Sequence, residues 1–260
     1  VAMGITGTEV SKEAADMVLA DDDFATIVRA VEEGRRIYDN IRRFLRYLLT
    51  TNSAEIWVMV LAPFVGLPFP LIAVQILWVN LVTDGLPALA LGVEPAERGT
   101  MLRPPRPPSE SIFARGLWQH AVWVGLFMAA VTLAVQAFAI DQTWPWQTMV
   151  FTTLALLQLG NALAVRSETE SFFSLGLRTN RPLAIAVAAT FVVQLLLIYV
   201  PVFQPIFETD ALTATQLAVV LAASTLGFAA VEVEKGVGRW RRGRRGRQFT
   251  GAVSSPGIRP

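Results

Sequence analysis

Six apolar stretches, at about 46–66, 71–91, 117–140, 148–166, 183–201 and 213–231, constrain this chain more than any other feature. Each is close to the ~20 residues that a helix needs to cross a bilayer. The basic residues sort to one side of the zigzag that six such spans would trace. Lys12, Arg29, Arg35, Arg36, Arg42, Arg43 and Arg46 precede the first span, and Arg98, Arg103, Arg106 and Arg115 lie between the second and third. Arg166, Arg178 and Arg181 lie between the fourth and fifth, and the rest are in the C-terminal tail. The opposite connections, residues 66–70, 141–147 and 202–212, hold no basic residue and carry only Asp141, Glu208 and Asp210 as charges. Positive loops stay in the cytoplasm, so both termini are expected there. Only 17% of the residues are charged, against about 25% in soluble domains. The expected fold class is an all-α membrane protein with six transmembrane helices.

Upstream of the first span, Phe24, Ile27, Val28, Val31, Ile37, Tyr38, Ile41, Leu45 and Leu48 recur at three- and four-residue steps. That spacing predicts an amphipathic helix that enters the membrane without a break, with Gly34 its one weak point. Two readings fit: an interfacial helix, or a rigid stalk over 24–45 joining a cytoplasmic unit to the first span. The continuous pattern favours the stalk. Val1-Ala-Met-Gly-Ile5 reads as a strand, and no signal peptide is visible, so the chain is expected to be a downstream piece of a longer polypeptide. The segment Met101-Leu-Arg-Pro-Pro-Arg-Pro-Pro108 predicts an extended loop. The tail 235–260, with its run Arg239–Arg247, reads as a basic cytoplasmic segment without regular structure, suited to anionic lipid or to simple anchoring. A net charge of +1 argues against a nucleic-acid partner, and the absence of cysteine excludes disulfides and thiolate chemistry. The one histidine, His120, is expected at the membrane interface.

Three of the spans carry oxygen-bearing side chains where lipid-facing helices should not. The first has Asn52 and Glu55, the second Asn80, Thr83 and Asp84, and the fourth Gln158 and Asn161. Steps of three and four place each set on one helix face. A carboxylate at the bilayer centre costs about 2.5–3.5 kcal/mol even on lenient scales, so it needs a partner or a function. Calcium takes six to eight oxygens from carboxylates, amides and hydroxyls. Glu55 and Asp84, with Asn52, Asn80, Thr83 and Gln158, can supply that set. Asn161 reads better as interhelical glue. Gly85 and Pro87 suggest a helix break just after Asp84 that would free backbone carbonyls. Two carboxylates left together without a cation repel, which makes exchange of protons for metal a natural expectation.

The same residues carry a family resemblance. Leu77-Trp-Val-Asn-Leu-Val-Thr-Asp-Gly-Leu-Pro-Ala88 resembles the sixth transmembrane helix of type II P-type ATPases, above all the sarco/endoplasmic reticulum calcium-pump branch and its bacterial relatives. Thr50-Thr-Asn-Ser-Ala-Glu55 resembles their fifth helix, and Met101–Pro108 a cytoplasmic loop. Ala14–Phe24 and Val31-Glu-Glu-Gly-Arg35 resemble the end of the phosphorylation domain and the stalk. The resemblance is dense to about residue 115 and thinner beyond, where span spacing and Gln158–Ala162 carry it. It implies a small α/β remnant of the haloacid dehalogenase-like phosphorylation domain at 1–23, the stalk helix at 24–45 and a membrane domain at 46–234. Asn52, Glu55, Thr83 and Asp84 would form one cation site, with Asn80 and Asp84 in part of a second. Gln158 stands where the calcium branch usually has glutamate, which removes one charge.

The resemblance also implies what lies elsewhere. Neither the Asp-Lys-Thr-Gly phosphorylation motif nor the Gly-Asp-Gly-x-Asn-Asp magnesium motif occurs in these 260 residues. ATP and magnesium would bind outside this chain, in the N-terminal portion of the same pump, and no catalytic residue is assigned here. The expected function is the ion-binding portion of an ATP-driven pump in the plasma or bacterial cell membrane, exporting calcium against protons. Sodium, potassium, proton, manganese or magnesium pumping is the alternative within the family. A self-contained channel, carrier or membrane interaction subunit is the alternative outside it.

Overall fold

The computed structural model describes residues 1–97, 99–107, 109–114, 116–167 and 170–253, with side chains as far as 240 apart from Leu177. Arg98, Pro108 and Arg115 of the second-to-third connection lie outside the described residues, as do the side chains of most of the basic tail. The chain opens with β1 (Ala2–Met3), α1 (Glu9–Glu13) and β2 (Val18–Leu19); the two strands pair in parallel, Ala2 opposite Val18. Asp22 ties this unit together by accepting from the Ile5 and Thr6 backbone N–H groups at 2.9 and 2.8 Å. Those bonds, the one from Ile5 foremost, hold its carboxyl below the usual carboxylate range.

Asp23 then caps α2 (Phe24–Phe64) by accepting from the Ala25 N–H at 2.9 Å. At 41 residues and about 1.5 Å each, α2 is roughly 60 Å long. It runs through Gly34 without interruption, because tertiary contacts outweigh the ~1 kcal/mol that one helical glycine costs. Pro63 in its last turn and the left-handed Gly66 (φ 77°) end it. The next helical segment has three parts: α3 (Ala73–Trp78), a π-helical turn at Val79–Thr83 and α4 (Gly85–Leu91). The remainder comprises α5 (Leu117–Asp141), α6 (Trp146–Ala164), the short α7 (Phe172–Leu175), α8 (Arg181–Tyr199), the short α9 (Gln204–Phe207) and α10 (Ala214–Val253). The backbone of α10 stays helical through the basic run, where composition predicts irregular chain; arginine is a good helix former and tolerates the intervening glycines.

The bundle forms around α6, which touches α2, α4, α5, α8 and α10. Val150, Phe151, Leu154 and Leu157 of α6 meet Ala54 and Val58 of α2 and Val124 and Met128 of α5 in the largest apolar core. The α2–α5 contact is closest at Gly125, where an added Cβ would lie 2.5 Å from the Ser53 hydroxyl and 3.0 Å from the Ala54 nitrogen. Glycine permits such approach because no side chain separates the backbones.

Among the described residues, four helical stretches are long and apolar enough to cross a membrane: Ala73–Leu91, Leu117–Asp141, Arg181–Tyr199 and Ala214–Trp240. The other two expected spans are helical, within α2 and α6, but fall short of that hydropathy. The reason lies in where their polar groups go. Thr50, Thr51 and Glu55 of α2 and Thr148, Thr152, Thr153, Gln158 and Asn161 of α6 are buried against neighbouring helices. Polar groups packed against protein do not meet lipid, although α2 keeps an exposed face at Asn52, Ile56 and Val60.

At one end of the bundle the connection after α4 is strapped along α2. Arg35 donates to the Thr100 and Arg103 carbonyls at 2.8 and 2.7 Å, and Asn40 to those of Gly92 and Glu94 at 3.0 and 2.9 Å. Arg103 and Arg106 both pair with Asp39, and the Arg106 guanidinium lies 4.4 Å from the centre of the Tyr38 ring. The extended proline-rich segment is therefore clamped to α2. Behind it, buried Arg166 pairs with buried Glu94 at 2.7 Å, and Asn180 donates to the same carboxylate at 2.6 Å.

Candidate cation site

Tyr47, Thr51 and Glu55 succeed one another at steps of four, so they stack on one face of α2. All three are buried. Two side-chain amides from two other helical segments converge on the Glu55 carboxylate. Asn80 Nδ2 donates to Oε2 at 2.6 Å and Gln158 Nε2 to Oε1 at 2.8 Å. Both carboxylate oxygens are thus satisfied by neutral donors, as a charge held away from water requires. Gln158 is fully buried, and its own Oε1 has no hydrogen-bond partner among the described residues.

Asp84 is anchored from the same helix. Its Oδ2 accepts from the Thr51 hydroxyl at 2.7 Å, and its Oδ1 lies 3.3 Å from the Tyr47 hydroxyl. The Tyr47 hydroxyl also donates to the Thr83 carbonyl at 3.0 Å. Pro87 explains why that carbonyl is available. In a continuous helix the N–H four residues on would bond it, and proline has none. The break predicted at Gly85 and Pro87 lies one turn earlier. The Asp84 N–H bonds the Val79 carbonyl at 2.9 Å, five residues back, and α4 continues through Pro87. The wider turn inserts a residue and rotates the side chains C-terminal to it. Asn80 before the rotation is exposed, whereas Thr83 and Asp84 after it are buried. The Thr83 hydroxyl is a second buried oxygen without a hydrogen-bond partner among the described residues.

The six residues expected from sequence therefore divide. Glu55, Asn80 and Gln158 are joined by direct hydrogen bonds, and Thr83 with Asp84 sits against the next turn of the same α2 face. Asn52 stands apart: it is exposed, and its amide donates back to the Leu48 carbonyl at 2.7 Å. Asn161, expected as glue between helices, is fully buried with neither amide atom hydrogen-bonded among the described residues. His120, at the start of α5, is 2% exposed, with Nδ1 2.6 Å from Glu234 Oε2 on α10. Tyr47 and Thr51 were not expected from composition, since tyrosine and threonine are ordinary in membrane helices. Their four-residue steps to Glu55 are the signal that marks them.

Chemically, two carboxylates, two amides and a hydroxyl from α2, the π turn and α6 form an oxygen-rich cluster, buried except at Asn80 on its exposed edge. Two oxygens in it, Gln158 Oε1 and Thr83 Oγ1, are buried with no hydrogen-bond partner among the described residues. An unpaired buried acceptor is costly, and a hard cation would relieve it. The donor set contains no sulfur or imidazole, which suits a hard oxygen-seeking ion over a soft one.

Comparison with known proteins agrees with this chemistry. Residues 68–237 match the family described as the C-terminus of cation-transporting ATPases. The chain is 47% identical over 232 residues to a calcium-transporting ATPase of Bacillus subtilis, an alignment covering 87% of this chain and 26% of that protein. It is 41% identical over 244 residues to the human calcium-transporting ATPase type 2C member 1, covering 93% of this chain and 27% of the other. A Schizosaccharomyces pombe calcium-transporting ATPase is 39% identical over 249 residues, covering 95% and 27%. The chain thus spans about a quarter of the length of the curated relatives it matches. Its extensive apolar helices and these relatives mark it as an integral membrane protein, and it belongs to the C-terminal family of the type II P-type cation-transporting ATPases.

Proposed function

We propose that this chain is the ion-binding portion of an ATP-driven pump that exports calcium from the cytosol in exchange for protons. The carrying observation is that one face of α2 holds Glu55 and, through Thr51, Asp84, with the Gln158 amide bonded to Glu55 and the buried oxygens of Gln158 and Thr83 without a hydrogen-bond partner among the described residues. Two carboxylates balance a divalent charge. The relatives, each a calcium-transporting ATPase, support calcium as the ion. In this reading the two helices of lower hydropathy also cross the membrane, giving six spans with both termini cytoplasmic in the plasma or bacterial cell membrane. Helix α2 is the stalk. Its unbroken path from Asp23 to Glu55 would carry motion of a cytoplasmic domain to the site, where a shift of one packed element changes access. ATP and magnesium would act in the N-terminal portion of the same pump, its partner here along with membrane lipid. Carboxylates that release the metal inside a bundle would take up protons in its place.

A different cation is the second reading, favoured by a single observation: Gln158 supplies a neutral oxygen where a third carboxylate would strengthen calcium binding. A panel of calcium, manganese, magnesium, sodium and protons, scored for activation of ATP hydrolysis by the full-length pump, separates the two. Calcium is expected to activate at the lowest concentration. Activation by sodium alone would overturn calcium as the ion. Calcium uptake into sealed vesicles with no opposing proton flux would remove the exchange.

A further inference from the structure

We propose that Tyr47 and Thr51 are positioning residues that fasten Asp84 to α2, so that this one helix carries both carboxylates of the cation site. The inference rests on the cation-site reading above and assigns two residues to it. Glu55 belongs to α2 by covalent connection. Asp84 belongs to it through hydroxyls: Thr51 Oγ1 to Oδ2 at 2.7 Å and Tyr47 beside Oδ1 at 3.3 Å. The short bond from Thr51 holds the carboxylate in direction as well as in place, while Tyr47 gives its proton to the Thr83 carbonyl and so holds the neighbouring backbone.

The Thr51 hydroxyl has a local alternative. Threonine in a helix commonly bonds a carbonyl of its own preceding turn, and Thr51 lies 3.1 Å from the Leu48 carbonyl. Its shorter contact is the one to Asp84 across the helix interface. Tyr47 is fully buried, and its phenol reaches the Thr83 carbonyl that Pro87 leaves without a backbone donor. That bond fixes the turn on which Asp84 sits, while the same oxygen stands beside the Asp84 carboxylate. The three groups on α2 therefore address Asp84, Thr83 and, through Glu55, Asn80 and Gln158. When α2 moves, the whole oxygen set moves with it, and loosening the hydroxyls would leave Asp84 free to lag behind.

The test uses the full-length pump, assayed for ATP hydrolysis with whichever cation of the panel activates the parent. Tyr47→Phe and Thr51→Val keep shape and remove the hydroxyls, and Thr51→Ser keeps the hydroxyl. Tyr47→Phe and Thr51→Val are each expected to raise the half-activating cation concentration about fivefold to tenfold, the scale of one lost hydrogen bond. Maximal rates should stay within about twofold, and Thr51→Ser within about twofold of the parent on both measures. Thermal unfolding without cation is measured alongside. A lowered midpoint with an unshifted half-activating concentration means the hydroxyls only hold helices together, which overturns the proposal. So does a fall in maximal rate alone, or equal impairment by Thr51→Ser and Thr51→Val. A parent activated by no cation sinks the cation-site reading itself, whereas an activated parent with unshifted variants removes only the positioning role.

Discussion

Gln158 shows how much a single side chain decides here. It is fully buried, its amide nitrogen serves Glu55 at 2.8 Å, and its oxygen has no hydrogen-bond partner among the described residues. Gln158→Leu would remove a donor from a buried carboxylate and a ligand from the site in one step. The expected result is a rise of about tenfold or more in the calcium concentration for half-maximal ATP hydrolysis by the full pump. An unchanged calcium titration would place Gln158 outside the site. Most of this residue-level chemistry is legible in the sequence, because Glu55, Asn80, Asp84 and Gln158 are polar in apolar surroundings and so announce themselves. Tyr47 and Thr51 do not, since a hydroxyl satisfies itself cheaply inside a helix and carries no charge penalty. Asn52 was legible as polar and misleading as a partner: three residues from Glu55 is near on a helix surface, but the neighbouring helices approach from the side of Thr51. Its exposure here is a property of this chain by itself.

Among the elements, the long α2 is legible in its spacing of apolar residues, and the structure keeps it whole from Phe24 to Phe64. The irregularity near Asp84 is signalled by Gly85 and Pro87, and it exists, but in the preceding turn. Proline is tolerated early in a helix, so α4 keeps Pro87, and the mismatch is absorbed upstream by the π turn. Its apolar length marks α6 as a span in the sequence, without showing that it is the enclosed one. Periodicity cannot see which helix the rest will surround. Helices α2 and α5 approach closely at Gly125. Gly125→Ala would press a methyl onto Ser53 and the Ala54 backbone, immediately before Glu55 on α2. Overpacking of this kind costs about 1–3 kcal/mol. The full pump should unfold at a lower temperature in a detergent melt, and an unchanged midpoint would show that the two helices separate without cost.

On the scale of the whole molecule, α2 joins two ends of different character. At one end arginines and prolines strap the Gly92–Ala114 connection to it, with Arg42 donating to the Ile112 and Ala114 carbonyls at 2.7 and 3.0 Å. Along its continuation, Glu55 and the fastened Asp84 lie inside the bundle. A rod braced at one end and bearing ligands farther along is suited to transmitting displacement, which is the use the pump reading makes of it. That reading stands or falls on whether Asp84 is a ligand. The most direct measurement is calcium-dependent phosphorylation from ATP by the full-length pump carrying Asp84→Asn, a change that keeps the size of the side chain and removes its charge. The account predicts that phosphorylation is lost across the calcium range that saturates the parent. Phosphorylation retained with the parent's calcium affinity would contradict it.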